Sequence, residues 1–498
     1  MEMDFKKTVI PGYRMPLCQV QSMEQTQDLR IPDSEGDIGS VLGCWGQVLL
    51  RSKEWHSDSV SLSGGVMAWV LYAPEEGGMP ATVESWIPFQ MKWDMQDVQQ
   101  DGTLLAFPTL QSIDARNVSA RKMVIRANIS VLAQAIEPVD ADVYQPEKLP
   151  EDIYLRKQTY PVEMPCDAGE MPFQIDEELS LSESQPSVHK LLFYHLKPVI
   201  TECRVLSDKL LFRGKLLLHF VYITENGNIH TWDSETGFSK YTQLNKEHDG
   251  SSSLRIIPVL TGSELDVQEN RIQLKASLAA QYIIYDRIML ETVTDAYSPI
   301  RDVSVNKTRV NAMIRLDAAD KSVVFEQTSQ FSAQKILDVS CCFGNANVRQ
   351  TGDMLDCEMI GSFHVLGADE NGLLQGHTVR CESQFQIPTD SSNSMCIYPS
   401  QLSKVEIMPD GDGIRLKADA DIGCDTFSCS GIETVSALNL SEARESDPAR
   451  PSIILKQVGD EQLWDLAKAC GSSVSAIQEA NRLQNEPQPG QIILIPVH

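Results

Sequence analysis

The side chains with the most reactive chemistry are thiols concentrated between residues 341 and 429: Cys341, Cys342, Cys357, Cys381, Cys396, Cys424 and Cys429. Zinc-binding thiolates come in paired spacings such as Cys-x-x-Cys, and no such pair is present, so no metal site is expected. Oxidative cross-linking is the other chemistry open to them. Burial as small apolar groups is the favoured reading, because Cys357 falls on the apolar side of an alternating strand. His189 and His195 stand six apart, which suits neither one helix face nor a ligand pair, so they read as surface or capped side chains. His219 lies on the polar side of its strand and reads as solvated. Glu75-Glu76 and Asp369-Glu370 look like acid pairs, yet the aligned Glu225 sits at the edge of a turn, which makes them loop carboxylates. The signatures of phosphate loops, dinucleotide turns, zinc proteases and serine hydrolases do not occur, so neither a catalytic residue nor a cofactor is expected.

Composition narrows the partners. With 42 Lys plus Arg against 69 Asp plus Glu, the chain carries a formal charge of −27, which repels phosphate backbones and anionic membrane surfaces. Residues 1–14 (MEMDFKKTVIPGYR) lack the apolar core of an export signal, and no run approaches a membrane span, so a cytoplasmic protein with reduced thiols is expected. An apolar fraction of 42% over 498 residues supports several folded modules rather than one core or a disordered chain.

The elements that must position these residues repeat. Residues 60–77 (VSLSGGVMAWVLYAPEEG) align without a gap on 210–227 (LLFRGKLLLHFVYITENG): Gly64 falls on Gly214, Tyr72 on Tyr222, Glu75 on Glu225 and Gly77 on Gly227. A third copy, 355–372, follows at a spacing of 145 and aligns Glu225-Asn226-Gly227 with Glu370-Asn371-Gly372. Upstream, Phe5-Lys6-Lys7 falls on Leu155-Arg156-Lys157 and Val305-Asn306-Lys307, and Ile31 on Leu181 and Phe331. Within each copy apolar residues recur every second position, as in Leu210, Phe212, Leu216, Leu218, Phe220 and Tyr222, the mark of a half-buried strand. A second alternating strand closes each copy, at 123–131, 272–278 and 414–422. Antiparallel sheets joined by Gly/Asn turns follow.

The expected fold is therefore mainly β: three tandem antiparallel β-sandwich-like modules at 1–148, 149–300 and 301–440, a linker at 441–452, and a small βααβ domain at 453–498. The breaks fall in Glu137–Pro150 and Asp295–Asp302, and a short helix near Pro186–Leu192 is allowed.

In the last module Leu463, Leu466, Ala467 and Cys470 form one helical stripe with Asp460 as its N-cap, and Ser473 opens a second helix carrying Ile477. Gly459-Asp460, Leu463-Trp464-x-x-Ala467, Ala480-Asn481 and Pro489-Gly490-Gln491 through Ile495-Pro496 resemble the LysM domain, although Glu461 and Lys456 depart from its usual residues. The resemblance implies a shallow groove for N-acetylglucosamine glycans of peptidoglycan or for a docking protein, lined by Gly459, Asp460, Glu461, Gln462, Asn481, Arg482, Leu483 and Gln484. Leu463, Trp464, Ala467 and Ile477 would form the core beneath it. Trp464, the module's one aromatic residue, leaves little for sugar stacking.

The three repeats resemble the SPOCS domain, through the strand ending at Val70-Leu71-Tyr72, Ile87-Pro88-Phe89 and the strand at Met123 to Leu132. In the third, Gly367 replaces the Tyr. Three such repeats before one LysM domain resemble the SipL-type morphogenetic proteins of endospore formers. That resemblance implies a spore-coat scaffold in the mother-cell cytoplasm, docking on a SpoIVA-type coat-basement ATPase and open to self-association.

Overall fold

The computed structural model describes all residues except 1, 99–101, 183, 249, 269, 311, 391–392, 429–430, 445–450 and 498. Cys429 and half of the expected linker 441–452 thus lie outside the described residues. Strands fill the chain up to residue 440. The first repeat holds β1 (Glu2–Asp4), β2 (Lys6–Arg30), β3 (Ile38–Trp55), β4 (Ser59–Pro74), β5 (Ala81–Asp94), β6 (Thr103–Ser119) and β7 (Lys122–Gln145). The second holds β8 (Tyr154–Ser180), β9 (Lys190–Ile223), β10 (Ile229–His248), β11 (Ser253–Gln268) and β12 (Arg271–Tyr297). The third runs through β13 (Val303–Val310), β14 (Ile314–Ser329), β15 (Lys335–Phe343), β16 (Asn347–Thr351), β17 (Met354–Ala368), β18 (Leu374–Pro388), β19 (Asn393–Asp410), β20 (Gly413–Ser428) and β21 (Ile432–Leu440). Last come β22 (Ile453–Gln457), α1 (Leu463–Cys470), α2 (Val474–Asn481) and β23 (Ile492–Pro496).

Each repeat is built from two antiparallel sheets. In the first, β2-β7-β6 faces the meander β3-β4-β5. In the second, β8-β12-β11 faces β10 and β9, and β9 folds back on itself: Ser207 takes a left-handed φ of 52°, and the His189 amide donates to the Ile223 carbonyl at 2.9 Å. The helix that the sequence allows near Pro186–Leu192 does not form; Leu191 and Leu192 already belong to this arm. In the third, β20 and β21 pair with β14 and β13, while β17 carries β15, β16 and β18. One register pair, Arg315 with Glu163, joins β14 to β8 and fuses two repeats into a six-stranded sheet.

The aligned residues occupy equivalent places. Tyr72 is fully buried and donates its hydroxyl to the Gly36 carbonyl, and Tyr222 does the same to Pro186, at 3.3 and 3.2 Å. Gly64 leaves room for the ring of Phe89 across the sheet, and Gly214 for that of Phe238: a Cβ would come within 2.7 and 2.4 Å of those rings. Such Gly–aromatic pairs pin strand register.

Two expectations fail, for one reason. Strand β4 is not half-buried, because Trp69 and Leu71 on its second face are covered by the second repeat. There Trp45 stacks on Phe193 with centroids 4.1 Å apart, and Trp69 meets Tyr194 at 4.5 Å. Nor are Glu137–Pro150 and Asp295–Asp302 simple breaks, since β7 runs to Gln145 and β12 to Tyr297. These strand tails converge with the starts of β2, β8 and β13, so that Phe5, Leu155 and Val305, aligned in the sequence, share one apolar cluster. A second apolar cluster also joins the three repeats, and there a methyl on Gly12 would lie 3.1 Å from Met164 Cε and 3.4 Å from Ala312 Cβ, so the repeats pack closely around this residue.

Polar ties seal the contact between repeats. The Gln281 amide pairs with the Ala106 backbone at 2.9 and 2.7 Å, and Asn345 reaches the carbonyls of Phe107 and Ser130 at 3.0 and 3.1 Å. Buried amides hydrogen-bonded across a contact in this way favour one arrangement over others.

Candidate binding sites

The C-terminal module is a βααβ unit in which β22 pairs antiparallel with β23. Leu463, Leu466, Ala467 and Ile477 are buried between the helices and the two strands. Ser473 caps α2 by accepting the Ala476 amide at 3.1 Å. The expected cap of α1 is different: Gln462, two residues beyond Asp460, occupies the cap position without a side-chain bond, and the Leu463 amide donates to Glu486 Oε2 at 2.7 Å. A carboxylate brought from the far loop thus meets the positive end of α1, which also ties together the two loops expected to form the groove.

Gly459, Asp460, Glu461, Gln462, Arg482 and Gln484 are exposed around that tie. Glu461 holds the Gly459 amide at 2.8 Å and Lys456 at 3.0 Å; hydrogen bonds from these groups keep its carboxyl below the usual range. Leu483 is half-buried against the module core. Asn481 is spent internally: its Oδ1 accepts the Leu494 amide at 2.7 Å and its Nδ2 donates to Ile477 and Leu494 carbonyls at 2.8 and 2.5 Å. It locks α2 to β23.

Trp464 is half-buried against the module's core cluster, which also takes in Tyr297 of the second repeat. Its ring meets Tyr297 edge-on at 4.7 Å, and its Nε1 donates to Asp295 Oδ2 at 2.9 Å. One helical turn on, Lys468 reaches both Asp295 oxygens at 2.9 and 2.8 Å. Burial would raise the Asp295 carboxyl, but the Lys468 and Trp464 hydrogen bonds outweigh it and hold the group below its usual value. The register shift between Val293 and Asp295 turns Asp295 toward the module, which is what a bulge does to a side chain. Gln462 also bonds Arg156. The spacing of Trp464 and Lys468 signals a shared helix face, but nothing in it names the second repeat as their partner.

A cavity of about 790 Å³ lies where the three repeats meet, lined from all of them by Trp45, Phe107, His195, His219, Cys342 and His364 among others. Here two histidine readings are corrected. His195 is not a surface residue: its Nε2 is sealed from solvent and burial lowers its pKa to about 4, as it does for His364. His219 is not simply solvated, because it bridges Asp233 at 2.6 Å and Asp338 of the third repeat at 2.9 Å. Burial alone would lower its pKa, but the two carboxylates raise it to about 9. A charged imidazole therefore joins repeats two and three, which period-two patterning cannot reveal because the partner belongs to another sheet.

The thiols of the third repeat are largely interior. Cys357, Cys381, Cys396 and Cys424 are buried, and Cys341 and Cys342 are half-buried. A hydrogen bond with Cys381 is the main cause that pushes the Cys341 thiol well above its usual value. Among the described residues, the ligand-type side chains that do converge are elsewhere: Cys166, His248 and Asp286 of the second repeat.

Among the described residues no helix is long and apolar enough to cross a membrane. Comparison with the curated proteins and with the solved structures returns no match. Residues 459–496 match the LysM domain family, in agreement with the Gly-Asp, Leu-Trp-x-x-Ala and Pro-Gly residues that build the βααβ unit, and the C-terminal module of this chain is a LysM domain.

Proposed function

We propose that the chain is a non-enzymatic assembly scaffold of the spore coat, acting in the mother-cell cytoplasm at the forespore surface and docking on a SpoIVA-type coat-basement protein through its LysM domain. In this reading the three repeats are SPOCS-like modules of a SipL-type protein, and they form the rigid body that carries the head. The observation that carries the reading is the seat of the LysM domain. Trp464, its one aromatic ring, is committed to Tyr297 and Asp295, while the polar loops at 459–462 and 482–487 stay largely exposed. A groove without an aromatic platform favours hydrogen-bonded and charged contacts with a protein over sugar stacking. Gln462, bonded to Arg156, lets the second repeat extend that surface.

A peptidoglycan-binding adaptor is the second reading, favoured by the LysM match itself, since such domains typically take N-acetylglucosamine glycans. Capture of the full chain on an immobilised SpoIVA-type ATPase and on peptidoglycan sacculi separates the two. The scaffold reading expects retention on the ATPase, lost on deleting 453–498 and weakened by Asp460→Lys with Gln484→Ala. Retention on sacculi alone would overturn it in favour of the adaptor.

A further inference from the structure

Strands β2, β8 and β14, one from each repeat, carry a bulge at the same place. The register of β2 with β7 slips between Arg14 and Leu17, that of β8 with β12 at Cys166, and that of β14 with β20 between Arg315 and Asp317. The bulged residues Pro16, Cys166 and Leu316 are each 150 apart in the chain. Bulges re-aim side chains, and families place them where a site needs one. Pro16 and Leu316 offer no ligand atom. Cys166 offers a thiol.

Two further elements deliver ligands to it. Strand β10 leaves its ladder after Gln243 and rejoins at His248, which tucks the imidazole inward until its side chain is 0% exposed. Asp286 comes from β12 beside the bulge, its Oδ1 oriented by the Ser252 hydroxyl at 2.6 Å. The Cys166 sulfur lies 3.4 Å from His248 Nδ1, and Nδ1 lies 3.2 and 3.3 Å from the Asp286 oxygens. The three ligand atoms fall within 4.8 Å of one another.

The arrangement is not a nucleophile–base–acid relay. In a relay the acid holds one ring nitrogen and the nucleophile faces the other. Here thiol and carboxylate both turn to Nδ1, and Nε2 is buried without a partner. Convergence on a point between three atoms is instead the geometry of ligation. Zinc bonds of about 2.3 Å to sulfur and about 2.0–2.1 Å to nitrogen and oxygen, at tetrahedral angles, set ligand–ligand edges of about 3.5 Å for S···N and about 3.3 Å for N···O. The measured separations match those edges. A thiolate, an imidazole and a carboxylate together suit zinc better than magnesium or calcium, which take oxygen ligands alone.

We propose that Cys166, His248 and Asp286 form a zinc-binding site that staples β8, β10 and β12 of the second repeat. Ser252 orients the carboxylate, and the partly exposed Asp286 leaves a fourth position for water. The site belongs to the second repeat alone, although the backbone device is common to all three.

The test uses the full chain under a thiol-free reductant with Zn²⁺ or Co²⁺ as the probe. One equivalent of zinc should survive dialysis, and cobalt should give a thiolate-to-metal charge-transfer band that is lost in Cys166→Ser, lost in His248→Ala and kept in Cys341→Ser. No retained metal, or a band that persists in Cys166→Ser, would overturn the proposal. Because His248 is buried, its variant also tests folding, so the unmodified chain supplies a second measurement. Zinc should block alkylation of Cys166, read by mass spectrometry, and leave that of half-buried Cys203 unchanged; equal labelling of Cys166 with and without zinc would equally refute the site.

Discussion

The second and third repeats solve one packing problem in opposite ways. In the second, Tyr222 sends its ring across to the Pro186 carbonyl. In the third, Gly367 takes the aligned position, and Phe331 fills the space from the connection between β14 and β15, its ring 3.3 Å from where a Cβ on Gly367 would sit. Phe331 in turn stacks on His377 at 5.3 Å. The volume is kept while the element that supplies it changes from a strand to a connection, so a sandwich tolerates loss of sequence identity as long as apolar volume is conserved between its sheets.

The comparison is broken most severely at the next aligned pair, Phe212 and Cys357, both buried. Phe212→Ala should cost about 3–5 kcal/mol, as large-to-small changes of a buried ring do, whereas Cys357→Ala should cost about 1 kcal/mol because it removes one small group. Denaturant unfolding of the two variants measures the difference. Similar losses would mean that the repeats share one cooperative core rather than separate anchors.

Gly367→Tyr sharpens the comparison directly. The new ring meets Phe331 and Ala333, and overpacking of this kind typically costs about 1–3 kcal/mol. Adding Phe331→Gly should recover part of the loss, and a double variant no more stable than the single one would sink the ring-exchange account. Tyr222→Phe is a milder change, removing one hydrogen bond for about 0.5–1.5 kcal/mol.

Loosening the LysM seat should be read by proteolysis. Asp295→Ala strips Trp464 Nε1 and Lys468 of their acceptor, so cleavage within 441–452 should quicken while the melting of the repeats stays put.

The smallest effect is a pH dependence. The folded pKa of His219, about 9, lies above the unfolded value of about 6.5. Its stabilisation is therefore complete below pH 6.5 and lost as pH rises through 9. His195 and His364, near 4 in the folded state, act on the acid side and oppose folding as pH falls below 6.5. His219→Gln should flatten the alkaline slope of Tm against pH and leave the acid slope intact.

How much of this was legible depends on the range of the contacts involved. The alternation in 210–222 and the 150-residue register were visible because both are local and survive substitution, and the aligned Tyr72 and Tyr222 do occupy equivalent buried places. The LysM domain was legible for the same reason: its helix stripe, turn residues and closing strand lie within 459–496. Histidines 195 and 219 were misread, and the contacts of Trp464 with Tyr297 and Asp295 were missed, because each is decided by a neighbour more than a hundred residues away or in another repeat.

The chain by itself therefore determined the strand periodicity, the threefold repetition and the LysM head, all of which follow from side-chain patterns within a few residues. Only the tertiary structure decided that the first repeat's second face is buried, that Asp295 seats Trp464, and that Cys166, His248 and Asp286 meet. The physical reason is that spacing along a strand reports which face is apolar but carries no record of what covers it. Repeats packed against one another and a bulge that everts one residue supply that information.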